Sequence, residues 1–187
     1  MGIFTDESVL LIKNWEVVRD IFTAEKRLCS ELSNFLYSIE ADLRKIDWWQ
    51  DSWVFTKHSG SQISISKREW KVDDEYIVWI GVEEFVPESL FGYEAQARLY
   101  VWVLSKWHDL AIKLATQLYE KESNIIGEID RKTSSGYVVR HAITPCFPEE
   151  IDHFEDMTRI QIINFFTHYA SILDKYSEVI KESIVED

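Results

Sequence analysis

One apolar stripe constrains the fold of this chain more than any other feature of its sequence. Ten positions between Leu11 and Leu43 follow a strict 4-3 spacing, and all but Glu25 are apolar. A repeat of about 3.5 residues keeps one side of a helix against a partner along its length. The pattern therefore predicts a helix of up to about forty residues. The stripe consists of Leu11, Trp15, Val18, Phe22, Glu25, Cys29, Leu32, Leu36, Ile39 and Leu43.

The last segment of the chain carries a second stripe of the same kind. Pro145 and Pro148 precede it, and the acids Glu149, Glu150 and Asp152 crowd the turns where the helix would begin. Acids stabilise the N-terminal end of a helix because the backbone amides there leave a partial positive charge. Two long helices, each apolar along one side, are expected to pack on each other or on a shared sheet. The second stripe consists of Ile162, Phe165, Phe166, Tyr169, Ile172, Leu173, Tyr176, Val179 and Ile180.

Between the two helices the apolar period changes to two residues. Residues 52–58 and 62–68 alternate about a Ser-Gly-Ser turn at 59–61, which predicts a β-hairpin. Residues 76–82 and 97–104 are apolar on both faces, as central strands covered on both sides would be. All four segments are expected to be strands of one sheet.

A third helix and a second hairpin complete the pattern. Apolar residues recur at helical spacing from Trp107 to Tyr119, and residues 125–143 resume the alternation about a Ser-Ser-Gly turn at 134–136. The order α-β-β-β-β-α-β-β-α predicts an α+β fold in a single domain over residues 1–187. We expect a mostly antiparallel sheet of about six strands, packed with two long terminal helices and one central helix.

The net charge of −13 limits the classes of partner. Proteins that bind the phosphate backbone need basic patches, so direct binding to nucleic acid is not expected. The acids concentrate in residues 72–89 and 149–187. An acidic face of this kind predicts a protein partner with a basic surface. The candidate binding residues in the first block are Asp73, Asp74, Glu75, Glu83 and Glu84.

Other features indicate an intracellular protein that does not bind a membrane. No stretch approaches the roughly 18–20 apolar residues that a membrane-spanning helix needs. Asp6 and Glu7 lie where a signal peptide would carry positive charge. Cys29 and Cys146 form no CxxC pair, which favours reduced thiols. The expected location is therefore the cytoplasm.

Three tryptophans lie within Ile46–Phe55, where the first helix gives way to the first strand. In strand geometry Trp49 and Trp53 share one face and Trp48 lies on the other. Such rings can close the corner between a helix and a sheet, or they can form a stacking platform for a ligand. Acidic and amide residues separate the rings, which favours the core, and Trp49 and Trp53 are kept as candidate binding residues. The other strand tryptophans, Trp70, Trp79 and Trp102, are predicted to be core.

The motifs of common enzyme classes are missing from the sequence. It contains no GxGxxG or GxxxxGK[ST] phosphate loop, no GxSxG nucleophile elbow and no HExxH zinc helix. On a helix, however, Glu149, His153 and Asp156 would share one side at i, i+4 and i+7 and could hold a divalent ion. The carboxylates at the two ends of the 76–82 strand could also bind metal ions, as carboxylates do in two-metal phosphodiesterases.

Further catalytic candidates lie in the second hairpin. Asp130-x-Lys132 resembles the (D/E)xK half of the PD-(D/E)XK nuclease motif, and the resemblance covers these three residues. It implies that the acid holds a metal ion and that the lysine orients the attacking water. His141 shares a strand face with Tyr137 and would act as a general base if a carboxylate and a cleft accompanied it.

Together these features favour a non-enzymatic protein-interaction module, an inhibitor or charge mimic that binds a basic, nucleic-acid-binding protein surface. No cofactor is expected for that function. The alternative is a phosphodiesterase or nuclease-like hydrolase that depends on Mg²⁺ or Mn²⁺, or a degenerate relative of one. A third hypothesis is a small-ligand pocket lined by tryptophans between the sheet and a helix. The two long helices are compatible with a homodimer.

Overall fold

The N-terminal stripe forms two helices that are almost continuous. The computed structural model describes residues 5–92, 96–131, 136–144, 146 and 148–185. Helix α1 spans Asp6–Lys13 and helix α2 spans Trp15–Leu43. Asn14 interrupts them with φ −110° and ψ 22°, yet the amide of Val18 still donates to the Asn14 carbonyl at 3.0 Å. The predicted long helix is therefore present, with one break at Asn14.

Six strands form one antiparallel sheet with the order β1-β2-β5-β6-β8-β7. A separate two-stranded hairpin, β3–β4, follows β2 in the chain. The α+β class and the antiparallel sheet agree with the sequence prediction. The strands are β1 Trp53–Ser59, β2 Gln62–Lys67, β3 Lys71–Val72, β4 Glu75–Tyr76, β5 Val78–Glu83, β6 Arg98–Val103, β7 Glu128–Ile129 and β8 Tyr137–Ala142.

Four further helices accompany the sheet in the described part of the chain. The central and C-terminal helices lie where the apolar periodicity predicted them, and the last stripe divides into two helices at Tyr176. The second hairpin is also present as β7 and β8, although Ser134 and Ser135 of its predicted turn lie outside the described residues. The helices are α3 Pro87–Phe91, α4 His108–Lys121, α5 Phe154–Lys175 and α6 Ser177–Val185.

One face of the sheet packs against the helices. The side chains of Leu99, Val101 and Val103 on β6 are fully buried, and their register partners on β5 are buried with them. His141 is the partner of Leu99 on β8, and its ring stacks on Phe165 of α5 with centroids 6.3 Å apart. These alternate positions therefore form the core face, in contact with α5.

Helix α4 belongs to the same layer as α5 and α6. Glu122, directly after α4, pairs with Lys175 at 3.3 Å and accepts a hydrogen bond from the Tyr176 hydroxyl at 3.3 Å. At the other end of α4, Leu110 and Ser183 of α6 line one cavity. The helix is thus tied to the α5–α6 segment at both ends.

The opposite face of the sheet is not covered in the way that the sequence predicted. Trp79 on β5 and Trp102 on β6 alternate with the core residues and are only half-buried. Together with Tyr100 they line an open cleft to which no described helix contributes. The prediction that β5 and β6 are covered on both sides was therefore wrong. Large aromatic rings, rather than a second layer of helices, account for the apolar residues on this face.

Candidate functional site: the N-terminal helical arm

The first part of the long helical segment extends beyond the body of the protein. We call residues 5–27 the N-terminal arm, because every side chain in it is at least partly exposed, whereas Leu28 packs against the core and Leu32 is the first buried residue along the chain. Large apolar side chains are exposed on the arm to an extent that is unusual for single surface residues. They are Leu10, Leu11, Ile12, Trp15, Val17, Ile21 and Phe22, with exposed fractions between 44% and 64%.

The heptad stripe runs from the arm into the core without a change of side. Its C-terminal half contributes Leu32, Leu36, Ile39 and Leu43, all of which are buried in the body. Its N-terminal half contains Trp15 and other exposed apolar residues of the arm. The same stripe is therefore satisfied by tertiary packing in its C-terminal half, whereas the large apolar side chains of its N-terminal half stay exposed in the part of the chain that the structure describes.

A second stripe adjoins the first on the arm. Leu10, Val17, Ile21 and Ala24 also follow a 4-3 spacing, one position ahead of the core stripe, with Asn14 as the polar member between Leu10 and Val17. Two adjacent stripes make a broad apolar face of the kind that contacts more than a narrow seam in another helix. The arm thus has the shape and chemistry of a helix-docking surface.

Polar contacts hold the base of the arm to the body. The guanidinium of Arg159 on α5 pairs with Asp42 of α2, donates to Ser38 at 3.2 Å, and lies 5.0 Å from the centre of the Phe35 ring. Burial opposes ionisation of Asp42, but hydrogen bonds from Lys45 and Arg159 outweigh it and lower the pKa of its carboxyl. The pair stays ionised at neutral pH and fixes the direction in which α2 leaves the body.

The tryptophan segment closes a corner of the core. Trp53 is 2% exposed, and its ring makes edge contacts with Trp48 and Trp70, each at a centroid distance of 5.5 Å. The indole of Trp48 donates to the Thr167 hydroxyl of α5 at 3.1 Å. Trp53 therefore lies in the core, as the core interpretation predicted, and has almost no surface to offer a partner. The second candidate of this segment, Trp49, is half-buried beside the Arg44 guanidinium.

The first acidic candidates lie in the turn between β3 and β4. Asp73 and Asp74 occupy the left-handed region with φ 47° and 69°, which a two-residue hairpin turn of this type requires at both central positions. Asp74 pairs with Lys71 at 2.8 Å, and Glu75 pairs with Lys106 at 3.5 Å. These acids thus have a local structural role, and two of them have basic partners.

The second acidic pair lies at the opposite end of β5. Glu83 accepts a hydrogen bond from the Tyr137 hydroxyl at 2.8 Å, and Glu84 pairs with Arg98 at 3.3 Å. Since β5 separates the pair from the β3–β4 turn, the fold does not bring Asp73 together with these carboxylates.

The two described catalytic candidates of the second hairpin, Asp130 and His141, contact different residues. Asp130 lies 3.7 Å from the Arg140 guanidinium, and the His141 ring lies against Phe165 on the core face. Lys132, the other half of the nuclease-like motif, lies outside the described residues.

The third candidate set lies in an element that the sequence did not predict. Glu149 and His153 belong to the 3₁₀ helix Pro148–His153, and Asp156 follows in the first turn of α5. With about three residues per turn, a spacing of four residues turns side chains apart by about 120°, so the predicted common side is lost. All three side chains are exposed. Within the described ranges, no group of three or more His, Cys, Asp or Glu side chains is arranged to hold a metal ion.

Sequence reasoning missed the cleft on the free face of the sheet. Trp79 and Trp102 were predicted to be core, but they are half-exposed and line a cleft of about 360 Å³. A usable signal was present: Glu83 shares the strand phase of Trp79, and Arg98 shares that of Trp102. A strand face that carries both rings and charges is more consistent with a surface than with a core.

Comparison with known proteins identified no relative of this chain. No protein-family model, curated protein or solved structure matches the chain. Among the described helices, none combines the length and the apolar character needed to cross a bilayer.

Proposed function

We propose that this chain is a non-enzymatic protein-interaction module and that its N-terminal arm binds the arm of a second copy. The observation that carries the proposal is the heptad stripe, which is buried from Leu32 onward and exposed before it. An amphipathic helix gains most of its stability by burying its apolar face. A second arm would bury the N-terminal half of the stripe, as the body of the protein buries the C-terminal half.

Charge and size both favour a second copy as the occupant. The segment Asp6–Arg27 has five acids and four bases, so two arms can approach without the repulsion expected of a chain with a net charge of −13. Stable interfaces bury at least roughly 1,200 Å² in total, and each arm has seven large apolar side chains that are 44–64% exposed and can contribute to such an area. Trp15 and Phe22 are rings of the kind that dominate such interfaces.

Sedimentation equilibrium of the full chain tests this proposal. We expect the wild-type protein to form dimers in a concentration-dependent manner, and we expect the double substitution Ile21→Glu, Phe22→Glu to yield monomers, because it introduces charge into the apolar face. Both residues are exposed in the single chain, so the thermal unfolding of the body should be preserved.

Ile160→Glu is the matched control. Ile160 lies on α5 and is 59% exposed, close to the 61% of Ile21, but it is not part of the arm. The control variant should dimerise like the wild type. A wild-type chain that remains monomeric at its highest soluble concentration, or an arm variant that still dimerises, would contradict the proposal.

Binding to a basic protein surface is a second proposal. It is supported by the exposed acids that precede and begin α5, namely Glu149, Glu150, Asp152 and Asp156. Affinity of this origin falls steeply as salt rises. The test is to capture partners with the full chain, identify one that is basic, and measure its affinity at low and high salt; an affinity that does not change would exclude charge mimicry. We place the module in the cytoplasm, where an exposed thiol such as that of Cys29 stays reduced.

A further inference from the structure

Four aromatic rings meet on the free face of the sheet. Trp79 and Trp102 are register partners on β5 and β6, and their ring centroids are 4.5 Å apart. Tyr100 and Tyr137 pack edge to face at 5.8 Å beside them. All four rings line the cleft of about 360 Å³. Their faces provide negative electrostatic potential on a largely apolar surface.

The absence of a side chain at Gly81 makes room for the Tyr100 ring, which lines the cleft. Gly81 is the register partner of Tyr100, and a Cβ atom at position 81 would lie 2.4 Å from the tyrosine ring and 2.9 Å from the Ile63 carbonyl oxygen. The missing side chain lets the Tyr100 ring lie across β5, where it is only 4% exposed. The ring is therefore held in place before any ligand binds.

One carboxylate lines the cleft beside these rings. Both oxygens of Glu83 accept from the Tyr137 hydroxyl at 2.8 Å, and the Glu83 side chain is 16% exposed. Arg98 lies 3.7 Å from Glu83 but only 3.3 Å from Glu84, so one guanidinium serves two carboxylates and one negative charge remains. A partly buried anion with unused acceptor capacity favours a cation.

The other polar groups of the cleft add no positive charge. Desolvation lowers the pKa of His58, so its imidazole is neutral at pH 7, and its Nε2 atom hydrogen bonds with the Ser64 hydroxyl at 2.7 Å. The Gln62 amide donates to the Tyr100 hydroxyl at 3.0 Å. On the same face Arg140 lies 5.5 Å from the Tyr137 ring centre, outside the cleft lining, and shows that this ring already accepts a cation.

We propose that this cleft binds a methylated ammonium cation between its aromatic rings and the Glu83 carboxylate. Aromatic walls attract such a cation through their negative faces, and its methyl groups bury apolar surface at the same time. The negative charge of the whole molecule further concentrates cations around it. The same chemistry is offered by a free quaternary ammonium compound and by a methylated lysine side chain of a peptide.

Titration of the full-length wild-type chain, followed by tryptophan fluorescence and calorimetry, tests the chemistry. The probes are choline, its neutral isostere 3,3-dimethylbutan-1-ol, and a lysine peptide with and without trimethylation. We expect choline or the trimethylated peptide to bind about tenfold more tightly than its uncharged or unmethylated counterpart. If choline binds more tightly, the natural ligand is a free quaternary ammonium compound, and if the trimethylated peptide binds more tightly, it is a methylated lysine side chain. Equal binding of choline and its isostere, or no signal from either cation at about 10 mM, would overturn the proposal.

Glu83→Gln tests the carboxylate. The amide keeps the shape of the side chain and removes its charge, so we expect the affinity for the cation to fall about tenfold. Glu88→Gln is the matched control, since Glu88 is an exposed carboxylate on α3 that does not line the cleft. It should leave the affinity unchanged. An equal loss in both variants, or no loss in Glu83→Gln, would contradict the assignment of Glu83. If a variant fails to fold, the comparison of choline with its isostere on the wild-type protein still tests the proposal.

Discussion

At the scale of single residues, Lys67 shows how the tryptophan corner accommodates a buried charge. Its ammonium lies 5.3 Å from the centre of the Trp53 ring and 5.8 Å from that of Trp70, and its side chain is 10% exposed. The ammonium pairs with Asp174 of α5 and lies 3.9 Å from Glu69. The lysine therefore joins the end of β2 to α5 through charge and through the two rings.

We expect Lys67→Met to lower the free energy of unfolding by about 1–3 kcal/mol, because it leaves the Asp174 carboxylate without its nearest cation. Methionine keeps an apolar chain between the rings, so packing changes little. Urea unfolding of Lys67→Met, Asp174→Asn and the double variant measures the coupling. Additivity within about 0.5 kcal/mol would show that the two side chains do not act as a pair.

The buried phenol of Tyr100 makes the stability of the fold depend on pH in the alkaline range. Burial raises the pKa of its phenol to about 12, whereas the unfolded chain releases the same proton near pH 10. The folded state then holds more protons than the unfolded state between these values, so the stability is complete below about pH 10 and is lost as the pH rises toward 12.

The Tyr100→Phe variant checks this dependence. From about pH 9 to about pH 11.5 the free energy of unfolding should fall by about 2 kcal/mol less in the variant than in the wild type, because the variant has no phenol to titrate at this position. The measurement is urea unfolding at a series of pH values. Parallel pH curves for the two proteins would contradict the assigned shift.

At the scale of elements, α2 is one helix in two environments. Leu36 and Phe22 belong to the same heptad stripe, yet Leu36 is fully buried and Phe22 is 53% exposed. Helical periodicity records which side of a helix is apolar, and it carries no information on what covers that side. The difference between the two halves arises where the body ends.

The pair Leu36→Ala and Phe22→Ala measures this difference. We expect Leu36→Ala to cost about 2–5 kcal/mol of stability, since it leaves a cavity in the core. Phe22→Ala should change the stability by less than about 0.5 kcal/mol when the protein is dilute enough to be monomeric. Urea unfolding of both variants at that dilution gives the comparison. A large loss in Phe22→Ala would show that the arm packs on its own body.

At the scale of the whole molecule, the sheet has a core face packed against the helices and a second face that carries the cleft. Leu99 and Val101 alternate with Tyr100 and Trp102 along β6, so successive residues serve the core and the cleft. The strand period gave the residues that share a face, and the antiparallel pairing followed from the hairpins, but both faces were predicted to be covered. The uncovered face was missed because both faces of β5 and β6 are largely apolar in sequence, although Glu83 and Arg98 on the face of the two tryptophans were a signal for it.

The predicted site residues show the same limit. Glu83 and Glu84 lie at the end of β5 as predicted, but Asp74 and Glu75 belong to the separate β3–β4 hairpin. Asp74, Glu75 and Glu84 each pair with a basic side chain that the sequence analysis did not identify. Glu149 and His153 were assigned to an α-helix because of the acids after Pro148, and the chain there forms a 3₁₀ helix instead. Local sequence patterns predict whether a segment is a helix or a strand, whereas a functional site depends on contacts between segments.

The amino-acid order alone determined the long helices, the central helix and the main strands with their antiparallel class, because apolar periodicity and turn residues act over a few neighbours in the chain. Tertiary structure alone decided that half of the first stripe would stay exposed in the described chain, and that Trp79, Trp102 and Glu83 would meet in a cleft. Both outcomes depend on strand register and on how far the helical layer extends, and these are set by packing between residues that are far apart in the sequence.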